Sequence, residues 1–381
     1  IDMRTAIMVA ILLAATLAAA QDPAAKVQPA PQVFVLAVSG NPGSPVYARR
    51  MNDWLTRFHA YLTGPAALAK ENAIVLCGDQ DLKAPFVQGP ATAEAVKRAI
   101  ATVAQKLRPD DQFILFLVGH GALEDPLPML LLPGQDLSAK ELAEALEAVP
   151  AENQVVLNFA GASGDFLWHL ARRGRVNVAA TSPGEEGEPV LCEFFLQALE
   201  GKQADGESPW PLADNQARAQ PATDPLKPVW RTGNKDGQVS VLEAYNWAAH
   251  ETAMWIARQK RADGEQWIVE GRQSVALFKR LAAGEDSDPG ARKLSPQSDA
   301  NAPDAVIPLA MKEGQDLDPW WIGRRTVLEH ALLEDCGQEV GVSCLRGQGY
   351  EPLDGVKEGQ PGWLARRVLL GRPALLPEER K

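Results

Sequence analysis

A histidine stands between two glycines at the end of an unbroken apolar run, Phe113-Ile114-Leu115-Phe116-Leu117-Val118-Gly119-His120-Gly121. An imidazole on such a loop suits general base or acid work near neutral pH. Its small neighbours let a substrate backbone approach, and the Gly121 N–H is placed to donate to a developing oxyanion. A second apolar run, Gln154 to Phe159, leads into Ala160-Gly161-Ala162-Ser163-Gly164-Asp165-Phe166. Ser163 offers a hydroxyl there, although at the start of a helix its natural task is to cap. Cys77 and Cys192 are thiols at the end of a strand-like run and within an apolar segment, and both read as buried small hydrophobes.

A third constellation is Thr232-Gly233-Asn234-Lys235-Asp236-Gly237-Gln238-Val239-Ser240-Val241-Leu242-Glu243. Oxygen-bearing side chains at alternate loop positions and a closing Glu suit a hard cation, so Asn234, Asp236 and Glu243 form a candidate calcium set. Position one is Thr232 rather than Asp, and Pro225 to Trp230 does not form an entering helix. The competing expectation is a tight turn at Asp236-Gly237 before a helix. No other cofactor is expected. His59, His169, His250 and His330 lack metal-ligand spacing.

These loops need elements to hold them. Apolar runs at Val33–Val38, Ala73–Cys77, Gln112–Val118, Gln154–Phe159 and Val176–Ala180 predict strands. Helical spacing predicts helices over Tyr47–Leu62, from Thr92 to about Leu107, from the capping box Ser138/Glu141 to Ala148, over Ser163–Arg173, Val190–Leu199 and Val241 to about Gln259, and around Ile322–Glu334. Pro128–Leu132 reads as a hairpin arm. Strands that are continuously apolar and alternate with helices predict an α/β fold of three layers, with a mainly parallel sheet covered on both faces. In such sheets ligands bind beyond the carboxyl ends of the strands, where His120 and Gly161 fall.

The ends of the chain read differently. Arg4, the apolar stretch Ala6–Leu17 and Ala18-Ala19-Ala20 predict an export signal over 1–20, with the start at Met3 and a periplasmic or secreted product. A Pro/Ala-rich linker follows over 21–32, and no later segment is apolar enough to span a membrane. The main domain is expected over 33–283, with a Pro/Ala/Asp/Gln-rich insertion at 202–228. A polar linker at 284–304 precedes a C-terminal extension at 305–381. Cys336 and Cys344, flanked by glycines in an exported chain, are candidates for a disulfide. A formal charge of −11 over 381 residues disfavours nucleic acid as a partner.

Phe113–Gly121 and Asn158–Gly164 resemble two motifs of the caspase/legumain peptidases. In that family the third strand ends in an apolar run plus His-Gly, and the fourth in Asp-Ala-Cys-x-Ser-Gly. The resemblance covers about 33–200, with Asp236-Gly237 and its helix similar to a bacterial subgroup. It implies a three-layer caspase-like fold, with His120 as a relic base or acid and Gly121 as an oxyanion donor. Aligned on Ser163-Gly164, Gly161 stands where the family has its cysteine, so a pseudopeptidase binding a peptide or protein partner is implied. Gly161 to Asp165 also resembles the G-x-S-x-G hydrolase elbow with Asp165 in the last place, leaving Ser163 as an alternative nucleophile. A structural role in the envelope is the third reading. Legumain's specificity Arg follows its first strand; Tyr47-Ala48-Arg49-Arg50 echoes that context loosely and is assigned no role.

Overall fold

The computed structural model describes residues 29–124, 127–181, 183–184, 186, 189–205, 236–262, 267–269, 305–307, 331–335, 345–346, 358 and 360–373. The expected export signal, most of the 202–228 insertion, the 284–304 linker, Asn234, Cys336 and Cys344 lie outside them.

Six parallel strands form the body of an eight-stranded sheet: β1 (Val33–Ser39), β2 (Ala73–Cys77), β3 (Gly89–Pro90), β4 (Gln112–Val118), β8 (Asn153–Asn158) and β9 (Arg175–Ala179). Two short strands, β12 (Leu332–Glu334) and β13 (Leu345–Arg346), add antiparallel beyond β9. The order is β13-β12-β9-β8-β4-β1-β2-β3. The chain lays β2 on one side of β1 and then crosses to lay β4 on the other, so the order reverses between β1 and β4.

The apolar runs have no period of two because both faces are covered. Val35, Ala37, Ile114, Phe116, Val155 and Leu157 point to the layer formed by α1 (Pro45–Thr63), α5 (Leu191–Glu200) and α6 (Val241–Ala262). Leu36, Val38, Leu115, Leu117 and Val156 point to the layer formed by α2 (Ala93–Ala104), α3 (Ala139–Glu147) and α4 (Ser163–Leu170). The protein is therefore a three-layer α/β fold with a mainly parallel sheet. On the first face four aromatic rings run in a chain from α1 through β4 and β8 to α5. Phe58 stacks on Phe116 at 4.0 Å, Phe116 meets Phe159 at 5.6 Å, and Phe159 meets Phe195 at 5.1 Å. Such pairs contribute roughly 0.5–1.5 kcal/mol each beyond their burial, and here they fix the two strands whose ends carry the site.

Local signals act as their chemistry requires. The Thr92 hydroxyl accepts from Ala95 N–H, and Ser138 and Glu141 close a full capping box. From β4 the chain enters a second, antiparallel sheet, β5 (Gly121–Glu124), β6 (Leu127–Leu130) and β7 (Leu137–Ser138). A separate ribbon pairs β10 (Trp267–Val269) with β11 (Ala305–Ile307).

The tail departs from expectation. Leu332–Glu334, expected at the end of a helix, is strand β12, because Leu332 and Leu333 pair with Ala179 and Val178 at the edge of the main sheet. Parts of the expected extension belong to the core. Leu364, Ala365, Val368 and Leu370 are buried, and both Asp335 oxygens accept from the backbone of Gly362, Leu364 and Ala365. The described residues from Gln32 onward form one compact unit. Cys77 and Cys192 are buried free thiols, as expected, and burial pushes both above the ordinary thiol range.

Candidate functional site

His120 lies on the loop between β4 and β5, at the carboxyl end of the sheet and at the point where strand order reverses. It leans toward the loop that follows β1. Its Nε2 is 2.9 Å from the Pro42 carbonyl oxygen. A carbonyl only accepts, so Nε2 is the donor in this contact. The Tyr47 ring on α1 meets the imidazole edge to face, with centroids 4.8 Å apart and planes at 88°. The Arg50 guanidinium lies over Tyr47 at 5.7 Å and over Trp54 at 5.8 Å. A backbone acceptor, an aromatic wall and a cation behind it thus hold one histidine. Only the histidine was expected to matter; Pro42 carried no local signal, since a carbonyl acceptor has no residue type.

The strand ends meet through their backbones. A β-carbon on Gly78 after β2 would lie 2.2 Å from the Gly40 oxygen after β1, and one on Gly121 would lie 1.9 Å from the Gly161 oxygen after β8. Any side chain at either position would collide with main chain. Because β4 and β8 are paired parallel neighbours, His120-Gly121 and Gly161 end up on adjoining loops, as the sequence pattern requires of a shared site.

Beyond Gly161 the chain turns sharply into α4. Ala162 sits in the left-handed region at φ 52°, ψ 14° and precedes the first residue of the helix. A residue with a β-carbon is held there at a cost of about 1–2 kcal/mol. Ser163 does not cap this helix. Its side chain is fully buried, and its hydroxyl oxygen accepts from the N–H groups of Ala180 at 3.0 Å and Thr181 at 3.1 Å, tying the helix start to the end of β9. The Thr181 hydroxyl lies 3.2 Å from the same oxygen. The Ser163 hydroxyl is thus buried and engaged by three polar neighbours.

On the β1–β2 side of His120 lies an open cleft of about 610 Å³, lined among others by Asn41, Ser44, Arg49, Asn52, Asp79 and Asp81. Asn52 donates to Asp79 at 2.6 Å, and Asp79 also accepts from the Asp81 N–H. On the opposite side the loop after β9 closes in. Asp165 accepts from the Gly184 N–H, and Glu186 accepts from the Leu123 N–H on β5.

The candidate calcium loop is put to other uses where it is described. The Glu243 carboxylate accepts from the N–H and the hydroxyl of Ser240, whose own hydroxyl accepts from the Glu243 N–H. This is a capping box for α6, and the Ser-x-x-Glu signal for it was present in the sequence. Asp236 accepts from the Gln238 N–H in a local turn, and Asp205 holds the N–H groups of Asp236 and Gly237. Among the described residues no group of three or more His, Cys, Asp or Glu is arranged to hold a metal ion. Among them, too, no helix is long and apolar enough to cross a membrane.

No family model matches the chain, and none of the curated proteins matches it. Among solved structures the chain is similar to a protein from Geobacter sulfurreducens, with 15% identity over 50% of this chain and 90% of that one and a TM-score of 0.34. That likeness is too slight to bear on the argument.

Proposed function

We propose that this chain is an exported, non-catalytic relative of the caspase/legumain peptidases that holds a peptide or protein partner in the cleft its active relatives use for cutting. The observation that carries the reading is the junction at Gly121 and Gly161. A histidine whose Nε2 donates to the Pro42 carbonyl adjoins a sharp strand-to-helix turn, and Gly161 just before that turn has no side chain. The strained Ala162 beside it supports the same view, since such backbone outliers cluster at functional turns. Positioned donors without a nucleophile leave only a small residual acceleration over water.

The reading in which Ser163 acts as the nucleophile of an active hydrolase has less support, because its oxygen is buried and bonded to two backbone donors. A structural envelope role leaves the cleft without a ligand. Calcium at Asn234, Asp236 and Glu243 is no part of the proposal. The test is to incubate the purified mature chain with a mixed peptide library. Retention of peptides without cleavage supports the binding role. Turnover that disappears with His120→Ala overturns the non-catalytic reading, and neither retention nor turnover leaves the structural one.

A further inference from the structure

Strand β5 begins at the residue after His120 and is the terminal strand of the sheet β5-β6-β7. Gly121 stands opposite Leu130, Ala122 opposite Met129 and Leu123 opposite Pro128. In antiparallel pairs, opposed residues alternate between exchanging hydrogen bonds and not exchanging them. Two observations fix the phase. The Leu131 N–H donates to His120 O at 3.0 Å, which makes that pair an exchanging one. Pro128 has no N–H to give, as its place opposite Leu123 in a non-exchanging pair demands. Ala122 therefore turns its N–H and C=O toward Met129. Gly121 and Leu123 turn theirs to the other side, where among the described residues no strand is paired. The Leu123 N–H meets Oε1 of Glu186 there. A carboxylate oxygen occupies the place that the carbonyl of an added strand would take.

From this we infer that the outer edge of β5 binds an extended peptide carrying a basic residue, paired through the backbones of Gly121 and Leu123, with Glu186 guarding the edge in the free protein. The inference rests on the peptide-binding reading above and names how the partner is held. Strand addition needs backbone donors and acceptors at alternate residues, which this edge presents. Proteins guard such edges with charge, as Glu186 does. The basic residue follows from the segments that border the edge. Glu124 ends β5 and the Glu186 carboxylate meets the Leu123 N–H, in a chain of net charge −11. A peptide paired with Gly121 has its backbone beside the loop that carries His120.

The test uses the full mature chain and two pools of acetylated, amidated hexapeptides, one with a fixed central Arg and one with a fixed central Glu. Binding is read by fluorescence polarisation and amide exchange by NMR. The Arg pool should slow exchange at Gly121 and Leu123 by about tenfold or more and leave Ala122 unchanged, since its N–H is already in the ladder. The Glu pool should do neither. Leu123→Pro deletes an outward N–H and no ladder bond, so it should keep the fold and weaken Arg-pool binding about tenfold. Should that variant fail to fold, an Arg pool N-methylated at alternate residues must lose binding to the parent protein. Arg-pool binding that ignores both changes overturns the edge inference and leaves the peptide-binding reading standing. Equal binding of both pools overturns the basic preference, and no binding of either pool overturns both readings. Protection of Gly121 and Leu123 that grows with protein concentration alone assigns the edge to a second copy and overturns the peptide.

Discussion

Gly121 and Gly161 touch backbone to backbone across the β4–β8 junction, so closely that a methyl group on Gly121 would overlap the Gly161 oxygen. Neither strand end is able to retreat, because β4 and β8 stay paired up to Leu117 and Asn158. Gly121→Ala is expected to cost about 1–3 kcal/mol through overpacking. Gly89→Ala, whose new methyl would meet only the Leu76 Cδ2 at 3.8 Å, should cost less. Urea unfolding of the two variants checks this; equal midpoints would show that the two loops do not meet as described.

Ser163 separates a structural from a chemical role. Removing its oxygen leaves the buried Thr181 N–H without its acceptor, at about 1–3 kcal/mol, while the Ala180 N–H keeps the Asn158 carbonyl. Ser163→Ala should lower the unfolding midpoint clearly while peptide retention by the folded fraction is unchanged. A variant as stable as the parent that loses a hydrolytic activity would restore the serine as a nucleophile.

The pseudopeptidase reading predicts the behaviour of a thiol placed at the turn. Gly161→Cys should react with iodoacetamide at neutral pH several-fold faster, up to about tenfold, than the same variant carrying His120→Ala, since proton transfer to His120 gives an imidazolium that stabilises the thiolate. The buried Cys77 and Cys192, both pushed upward by burial, should contribute little background. Cys336 and Cys344 are replaced by Ser in the parent used for comparison. A labelling rate indifferent to His120 would falsify the alignment of the two motifs.

Acid sensitivity is expected at Asp111. Burial opposes ionisation of this carboxyl, but the Arg108 guanidinium and the backbone N–H groups of Gln32 and Arg108 outweigh it and hold the group below the usual carboxylate range. The folded state thus binds this proton less readily than the unfolded chain. The stabilisation is complete at neutral pH and is lost as pH falls below about 4 toward the lower folded value. Asp111→Asn should be less stable at pH 7 by about 1–3 kcal/mol and should show a flatter decline between pH 5 and pH 3. Chemical unfolding across that range measures both effects; parallel curves for parent and variant would exclude Asp111 as the source.

Much of the sheet was legible because its signals are local. Five apolar runs, the Ser138/Glu141 box and the Thr92 cap each specify an element within a few residues, and all are present. Failures came where the deciding partner is distant. Leu332–Glu334 ends a segment with helical spacing, yet β9 offers it an open edge, and pairing across the sheet outweighs propensity. Ser163 looked like a cap because Ala180 and Thr181, its actual donors, come from the next strand. Glu243 fits a metal-loop pattern and a capping-box pattern together, and the second, set by Ser240 three residues earlier, is formed. His120 was visible from its glycines. Pro42 and Glu186 were not, because the first acts through a carbonyl and the second through a loop contact.

The Asp335 clasp and the buried tail have a bearing on how this chain is made. Gln112, the first residue of central strand β4, donates through Nε2 to the carbonyl of Leu369, 257 residues later. The Val241 N–H at the start of α6 likewise donates to Val368 O. The middle of the molecule therefore waits, incompletely bonded, until residues 368 and 369 have left the ribosome. Closing so long a loop favours slow, late acquisition of the native state over stepwise assembly from the N-terminal side. A nascent chain cut short before Leu364 would carry every residue of the His120 loop and still lack the segment that seals the hydrophobic layer beneath α6.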